Sequence, residues 1–188
     1  MRVIAGKFRG RGLQGPAGMD VRPTGDRLKE TLFSILGPRV TGSIVLDVFG
    51  GSGAIGIEAL SRGAQEVVFI ESTPAGERLI RQNLERCKIQ TGYRVLRQDV
   101  FPALRFLARQ GFRANIIFFD PPYNWKLYRD LVEIVFEKGL VAPPFCVVIE
   151  HHRKADLPES GERYHRSRIV RQGDHCLSFY ESGGSPDT

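Results

Sequence analysis

From about residue 43 the apolar positions fall into two alternating patterns. Short continuous runs, rich in β-branched and aromatic residues, occupy 43–48, 66–71, 93–97, 116–120 and 145–150. Between them, apolar residues recur three and four apart, through Ile55, Ile57, Ala59 and Leu60, then over 74–88, 101–110 and 127–138. The first pattern suits strands buried on both faces, and the second suits helices that cover them. Pro74 stands where the first turn of its helix tolerates proline. After Glu150 the rhythm changes: 164–171 and 175–181 read as two strands joined by Gln172-Gly173-Asp174, a hairpin turn. These elements predict an α/β fold. It has a mostly parallel seven-stranded sheet, helices on both faces and a C-terminal antiparallel hairpin.

The N-terminal segment follows neither pattern. Gly6, Gly10, Gly12, Gly15 and Gly18 lie among basic residues, which predicts loops or a loose hairpin. Thr24 or Asp26 is then placed to cap a helix with Leu28, Leu32, Phe33, Ile35 and Leu36 on one face. The expected organisation is a small basic N-terminal arm over 1–22, an α/β domain over 23–181 and a disordered tail over 182–188. At 188 residues, 41% hydrophobic and 26% charged, the chain has the size and balance of one globular domain. No apolar run approaches the ~20 residues that span a bilayer. The N-terminus lacks the apolar centre of a signal peptide, so a cytoplasmic location is expected. Cys87, Cys146 and Cys176 are widely spaced and read as small core residues, with neither a disulfide frame nor a metal site suggested. Charge alters the picture more. Of a net +6, an excess of five lies in residues 1–39, where eight Lys or Arg face three acids. Charge so clustered points to a polyanionic partner, against the plainer reading of a solvated basic face.

The turn after the first strand, Asp47-Val48-Phe49-Gly50-Gly51-Ser52-Gly53-Ala54-Ile55-Gly56, is the first candidate site. Gly51, Gly53 and Gly56 match a pattern that dinucleotide-binding folds also use, so glycine alone does not identify the ligand. Asp47 discriminates: a carboxylate beside the turn repels a pyrophosphate and attracts an ammonium group. Glu71 ends the second strand, where an acid accepts from ribose hydroxyls, and Asp99 follows the third, where it accepts from an adenine amine. S-adenosylmethionine, with an amino-acid end and no phosphate, suits this set.

Asp120-Pro121-Pro122-Tyr123 directly follows the fourth strand. A carboxylate, a carbonyl beside prolines that donate nothing, and an aromatic ring can together hold a planar exocyclic amine. Asp120 thus becomes the fourth acid at a strand end, where open α/β sheets bind ligands. Trp125 either shields this pocket or packs on the next helix, and His151 and His152 read as polar rim residues.

These motifs, in this order, resemble class I S-adenosylmethionine-dependent methyltransferases, and the fourth resembles that of their amino-methylating branch. Residues 2–11, RVIAGKFRGR, and 22–36, RPTGDRLKETLFSIL, resemble the bacterial RsmD family, enzymes that methylate the N2 amine of one guanine in 16S ribosomal RNA. The likeness runs from residue 2 to about 181; Gly50 stands where alanine is more usual. It implies a Rossmann-like fold and an enzyme that acts as a monomer, away from membranes, on 16S rRNA in an assembled or assembling small subunit. It assigns Asp120, Pro121, Pro122 and Tyr123 to catalysis. Asp47, Phe49, Gly51, Gly53, Glu71, Asp99, Val100 and Asp120 would line the cofactor site, with Pro23 and Thr24 closing over it. Arg2, Lys7, Arg9, Arg11, Arg22 and Arg27 would contact RNA.

Two other readings share parts of this evidence. An adenine-N6 methyltransferase would use the same catalytic motif but needs room for target recognition. A non-catalytic RNA-binding module on this fold would be expected to have lost Asp47 or Asp120. C5-cytosine methylation is disfavoured because it needs a cysteine nucleophile, and all three cysteines read as core.

Overall fold

The structure, a computed structural model, describes residues 1–16, 23–122 and 125–182, without the side chains of residues 23–25. It divides into two compact units, Met1–Val100 and Phe101–Thr188.

In the first unit, β1 (Ile44–Val48), β2 (Glu66–Glu71) and β3 (Tyr93–Arg97) are parallel, with β2 between the other two. All of β2 except its two ends is buried, as a central strand with both faces covered must be. Helix α2 (Ala54–Ser61) crosses from β1 to β2, and α3 (Pro74–Arg86) from β2 to β3. Thr73 caps α3, its hydroxyl accepting from the Gly76 amide at 3.0 Å, and Pro74 occupies the first turn. Helix α1 (Pro23–Leu36) buries Leu28, Leu32, Phe33 and Leu36 and ends in a 3-10 turn, Gly37–Val40. It begins at Pro23, so Thr24 and Asp26 lie inside its first turn and do not cap it from outside.

The N-terminal residues form a pinned hairpin. Arg2 bridges Gly12, and the Val3 amide donates to the Arg11 carbonyl at 2.9 Å. Its attachment comes from one buried acid of α2. Glu58, with no exposed surface, accepts from the amides of Ile4 at 2.8 Å and Ala5 at 3.0 Å. The same carboxylate meets Lys29 Nζ of α1 at 3.4 Å and Arg62 Nε at 2.8 Å. Burial lowers the Lys29 pKa, and the charge of Glu58 opposes that shift. Further along, Asn83 accepts from the Gln14 amide and donates to the carbonyls of Gln14 and Ser52. Gly6, at φ +82°, lies against the Ser61 backbone: a Cβ there would fall 1.8 Å from the Ser61 oxygen. Only glycine fits that approach.

In the second unit, α4 (Val100–Arg109) leads into β4 (Ala114–Phe119), and α5 (Tyr128–Glu137) crosses to the parallel strand β5 (Val141–His152). The antiparallel strands β8 (His175–Ser182), β7 (Tyr164–Gln172) and β6 (Ser160–Gly161) follow in that spatial order. The hairpin turn is Gly173-Asp174. Eight strands are present among the described residues, and the one beyond the expected seven is the two-residue β6. Strand β5 starts four residues before the predicted run, through Ala142 and the cis Pro143–Pro144 bond, and continues through His152. Cys87, Cys146 and Cys176 are all buried, as expected of core residues, and none is in a disulfide. No described helix is long and apolar enough to cross a membrane. Most of the expected tail, 183–188, lies outside the described residues, while Ser182 closes β8.

Candidate active site

The glycine turn after β1 is braced by the two acids expected to meet a ligand. Asp47 is buried, and its Oδ2 accepts from the Gly56 amide in the first turn of α2 at 2.9 Å. Glu71 is half-buried: one oxygen accepts from the Gly51 amide at 3.0 Å, the other from the amide and hydroxyl of Thr73 at 2.8 Å. Between them the backbone turns through positive φ at Phe49 (63°), Gly51 (54°) and Gly53 (73°). Such a path is cheap for glycine and strained for Phe49. Gly56 packs against β2, where a Cβ would fall 2.2 Å from the Phe69 ring. Asp47, expected at the cofactor site, is thus buried behind the turn and holds the start of α2. Asp99 is exposed just before α4, and Val100 is buried as the first residue of that helix.

In the second unit, Asp120 follows β4 directly. Pro121 is buried and Pro122 exposed, and the Pro122 carbonyl accepts from the Trp125 amide at 2.8 Å. That bond closes the loop back on itself. Trp125 stacks on Phe101 of the preceding helix α4, centroids 6.3 Å apart and planes 21° from parallel, a different partner from the next helix that was expected. Tyr123 lies outside the described residues.

Asp120 is exposed at the strand end, yet the protein around its carboxyl desolvates it. That, with the negative charge of Glu150, raises its pKa to about 7 against a smaller downward pull from His175. Desolvation raises Glu150 likewise, so the two carboxyls titrate as a pair. The β4–β5 register ends at Phe119 opposite Ile149, which sets the next residues, Asp120 and Glu150, at the same end of adjacent strands. His175 Nδ1 lies 3.1 Å from Glu150 Oε1. Tyr128, in the first turn of α5, is raised by desolvation and by both carboxylates.

Glu150 and His175 were missed in the sequence, because their meeting depends on β8 pairing with β5. The parity of strand positions carried the only signal: Glu150 ends an apolar run, and His175 opens the last one. Of the two histidines expected at the rim, His151 departs from that expectation by its burial. His151 is buried, with Nε2 2.8 Å from the Ser178 hydroxyl and its ring edge-on to Tyr128. His152 is half-buried, and its Nδ1 accepts from the Lys154 amide at 3.1 Å.

Of the basic residues expected to meet RNA, Arg2, Lys7, Arg9 and Arg27 are exposed. Arg11 is half-buried, donates to the Cys87 carbonyl and lies 5.2 Å over the Phe8 ring, so its guanidinium serves the hairpin. Arg22 lies outside the described residues, and Pro23 and Thr24 are described by backbone alone.

Parallel strands alternating with helices, acids after them, and a closing antiparallel hairpin define a Rossmann-like methyltransferase fold. The family model described as Conserved hypothetical protein 95 matches residues 1–181, and the chain belongs to that family. Ribosomal RNA small subunit methyltransferase D of Escherichia coli K12 is 34% identical, over 100% of this chain and 93% of that one. A solved hypothetical protein of Thermus thermophilus is 33% identical with a TM-score of 0.81, covering 96% of this chain and 99% of that one. The fold alone is shared with the T. thermophilus 16S rRNA N2-guanine methyltransferase RsmC, solved with S-adenosylmethionine and guanosine. That protein is 24% identical, with a TM-score of 0.68 over 89% of this chain and 45% of the other.

Proposed function

We propose that the protein transfers a methyl group from S-adenosylmethionine to the N2 amine of a guanine in 16S ribosomal RNA. It does so as a monomer, on an assembled or assembling small subunit. The observation that carries the reading is the Asp120 carboxylate at the end of β4, open to solvent and followed by two prolines that donate nothing.

The glycine turn fits this cofactor. The Gly56 amide, in the helix turn that would otherwise attract a phosphate, is already satisfied by Asp47. The turn's left-handed path at Gly51 and Gly53 lets the backbone approach a ligand closely. Glu71 would accept from the ribose hydroxyls, Asp99 from the adenine amine, and Val100 would line the same end; Pro23 and Thr24 would close over it. When bound, S-adenosylmethionine supplies an electrophilic methyl, the amine pair forming the N–C bond while the S–C pair stays on sulfur.

A guanine N2 amine is a weak nucleophile because its lone pair is delocalised into the ring. Asp120 and the Pro121 carbonyl accept its two hydrogens and turn that lone pair toward the methyl group. Most of the gain is orientation and a fixed electrostatic environment. Asp120 then accepts the proton that the alkylated nitrogen must lose. Tyr123 stacks on the base after it leaves its own stack. The exposed cations Arg2, Lys7, Arg9 and Arg27 meet phosphates, joined by Arg22.

The test is to incubate the protein with methyl-labelled cofactor and small subunits, free rRNA or DNA, and to identify the modified nucleoside. N2-methylguanine from the ribosomal substrate is expected. N6-methyladenine, or no label, overturns the reading.

A further inference from the structure

We propose that Glu150 and His175 are positioning residues for Asp120, a carboxylate–imidazole couple across β5 and β8 that tunes the amine-binding carboxylate. The proposal rests on Asp120 being the amine-binding carboxylate.

Three strands supply the geometry. In β4–β5, Phe119 pairs with Ile149, so Asp120 and Glu150 follow at the next position of adjacent strands, near enough for the Glu150 charge to act on Asp120. In β5–β8, Glu150 pairs with Leu177 and His152 with His175, so His175 shares the face of Glu150, one diagonal step away. The diagonal is closed by the 3.1 Å contact of His175 Nδ1 with Glu150 Oε1. A row of carboxyl, carboxyl and imidazole thus crosses three adjacent strands at the strand end that carries the catalytic motif. Two adjacent carboxylates repel, and a fold has no structural use for that repulsion. An imidazole at the far end of the row offers a counter-charge.

The other titratable groups at this end have different partners. Tyr128 of α5 feels both carboxylates, but its own pKa is raised, so it stays neutral. His151 faces the opposite side of β5 and is tied to Ser178, and burial lowers its pKa. His152, on the same face as Glu150, accepts from the Lys154 amide. The proton leaving the methylated nitrogen goes to Asp120 and from that exposed strand end to solvent, with Glu150 and His175 setting how readily Asp120 takes it. One proton is released per methyl transferred, and no further reactant is needed.

The two members act on Asp120 with opposite signs, whereas a change of burial alone would move both variants the same way. Removing the negative charge by Glu150→Gln should lower the Asp120 midpoint, by about one unit. Removing the imidazole by His175→Gln should raise it, by roughly half a unit. The direct readout is a carboxyl carbon NMR titration of the full-length protein, with the Asp120 signal assigned by its loss in Asp120→Asn. The acidic limb of kcat/KM on small subunits should move with it, since that limb reports the free enzyme. Glu150→Asp keeps the charge and should return the midpoint toward wild type. Midpoints unmoved in both variants, or moved the same way, overturn the proposal. Opposite shifts in a protein that methylates no substrate would uphold the couple and sink the methyltransferase reading.

Discussion

Asp120 illustrates how a single side chain can be held in a state that disfavours the fold. Its carboxyl and that of Glu150 are raised well above the unfolded carboxylate range, to about 7. A carboxyl raised on folding contributes stability below its unfolded pKa near 4, and that contribution is lost as pH rises through the folded value. Above about pH 7 both groups are ionised side by side, and the fold carries their repulsion. Asp120→Asn should therefore melt higher than wild type at pH 8 and indistinguishably from it at pH 4. Because Asp120 is open to solvent, screening limits the gain to about 1 kcal/mol, or roughly 2–4 °C for a chain of this size. Thermal melts at the two pH values check it; a variant no more stable at pH 8 would mean that the pair is not strained. The same substitution should lower methyl transfer by about two to three orders of magnitude, as loss of a transition-state hydrogen-bond partner does. Cofactor binding, measured by calorimetry, should be nearly unchanged.

Among the elements, the N-terminal hairpin depends most on one distant residue. Glu58 gathers two hairpin amides and two cations in a buried site, joining the hairpin, α1 and α2. Glu58→Ala would leave Lys29 buried without its counter-charge, a loss of about 3–5 kcal/mol. Urea titration should show the lower midpoint, and proteolysis should cut first within residues 1–16. A midpoint within error of wild type would show the hairpin to be held by its other contacts. This clamp also marks where the sequence stops being legible. The five runs from 43 to 150 announced their strands because continuous apolar stretches between helices have few other uses. Glu58 gave no such sign, since an acid on a helix reads as a solvent-facing residue until its fold neighbours are known. His151 failed similarly, since burial beside Ser178 follows from pairing with β8. Asp47 and Glu71 were found by position. Their backbone partners, which turn both inward to brace the turn, were not readable from position alone.

Over the whole chain, charge sets how the protein should meet RNA, and the structure changes the expected count. Four of the six basic residues that the resemblance assigns to RNA, Arg2, Lys7, Arg9 and Arg11, lie in the hairpin. Arg11 is spent on the Cys87 carbonyl and the Phe8 ring, which leaves three exposed there. These three need little ordering on binding, because their backbone is already fixed through Glu58, Ser61 and Asn83. Each phosphate contact contributes roughly 0.7–0.9 to the slope of log affinity against log salt. The double variant Lys7→Ala, Arg9→Ala should thus reduce that slope by about 1.6 in magnitude for small subunits or rRNA fragments. Neither residue touches the reacting amine, so the variant should raise KM steeply at high salt while kcat changes little. Arg11→Ala should behave differently: it should destabilise the hairpin in urea yet alter the salt slope far less than either neighbour. Filter binding across a salt series, run beside urea melts of the same proteins, separates the two behaviours. An unchanged slope in the double variant would move the RNA contact away from the hairpin, leaving its positive charge as a solvated face.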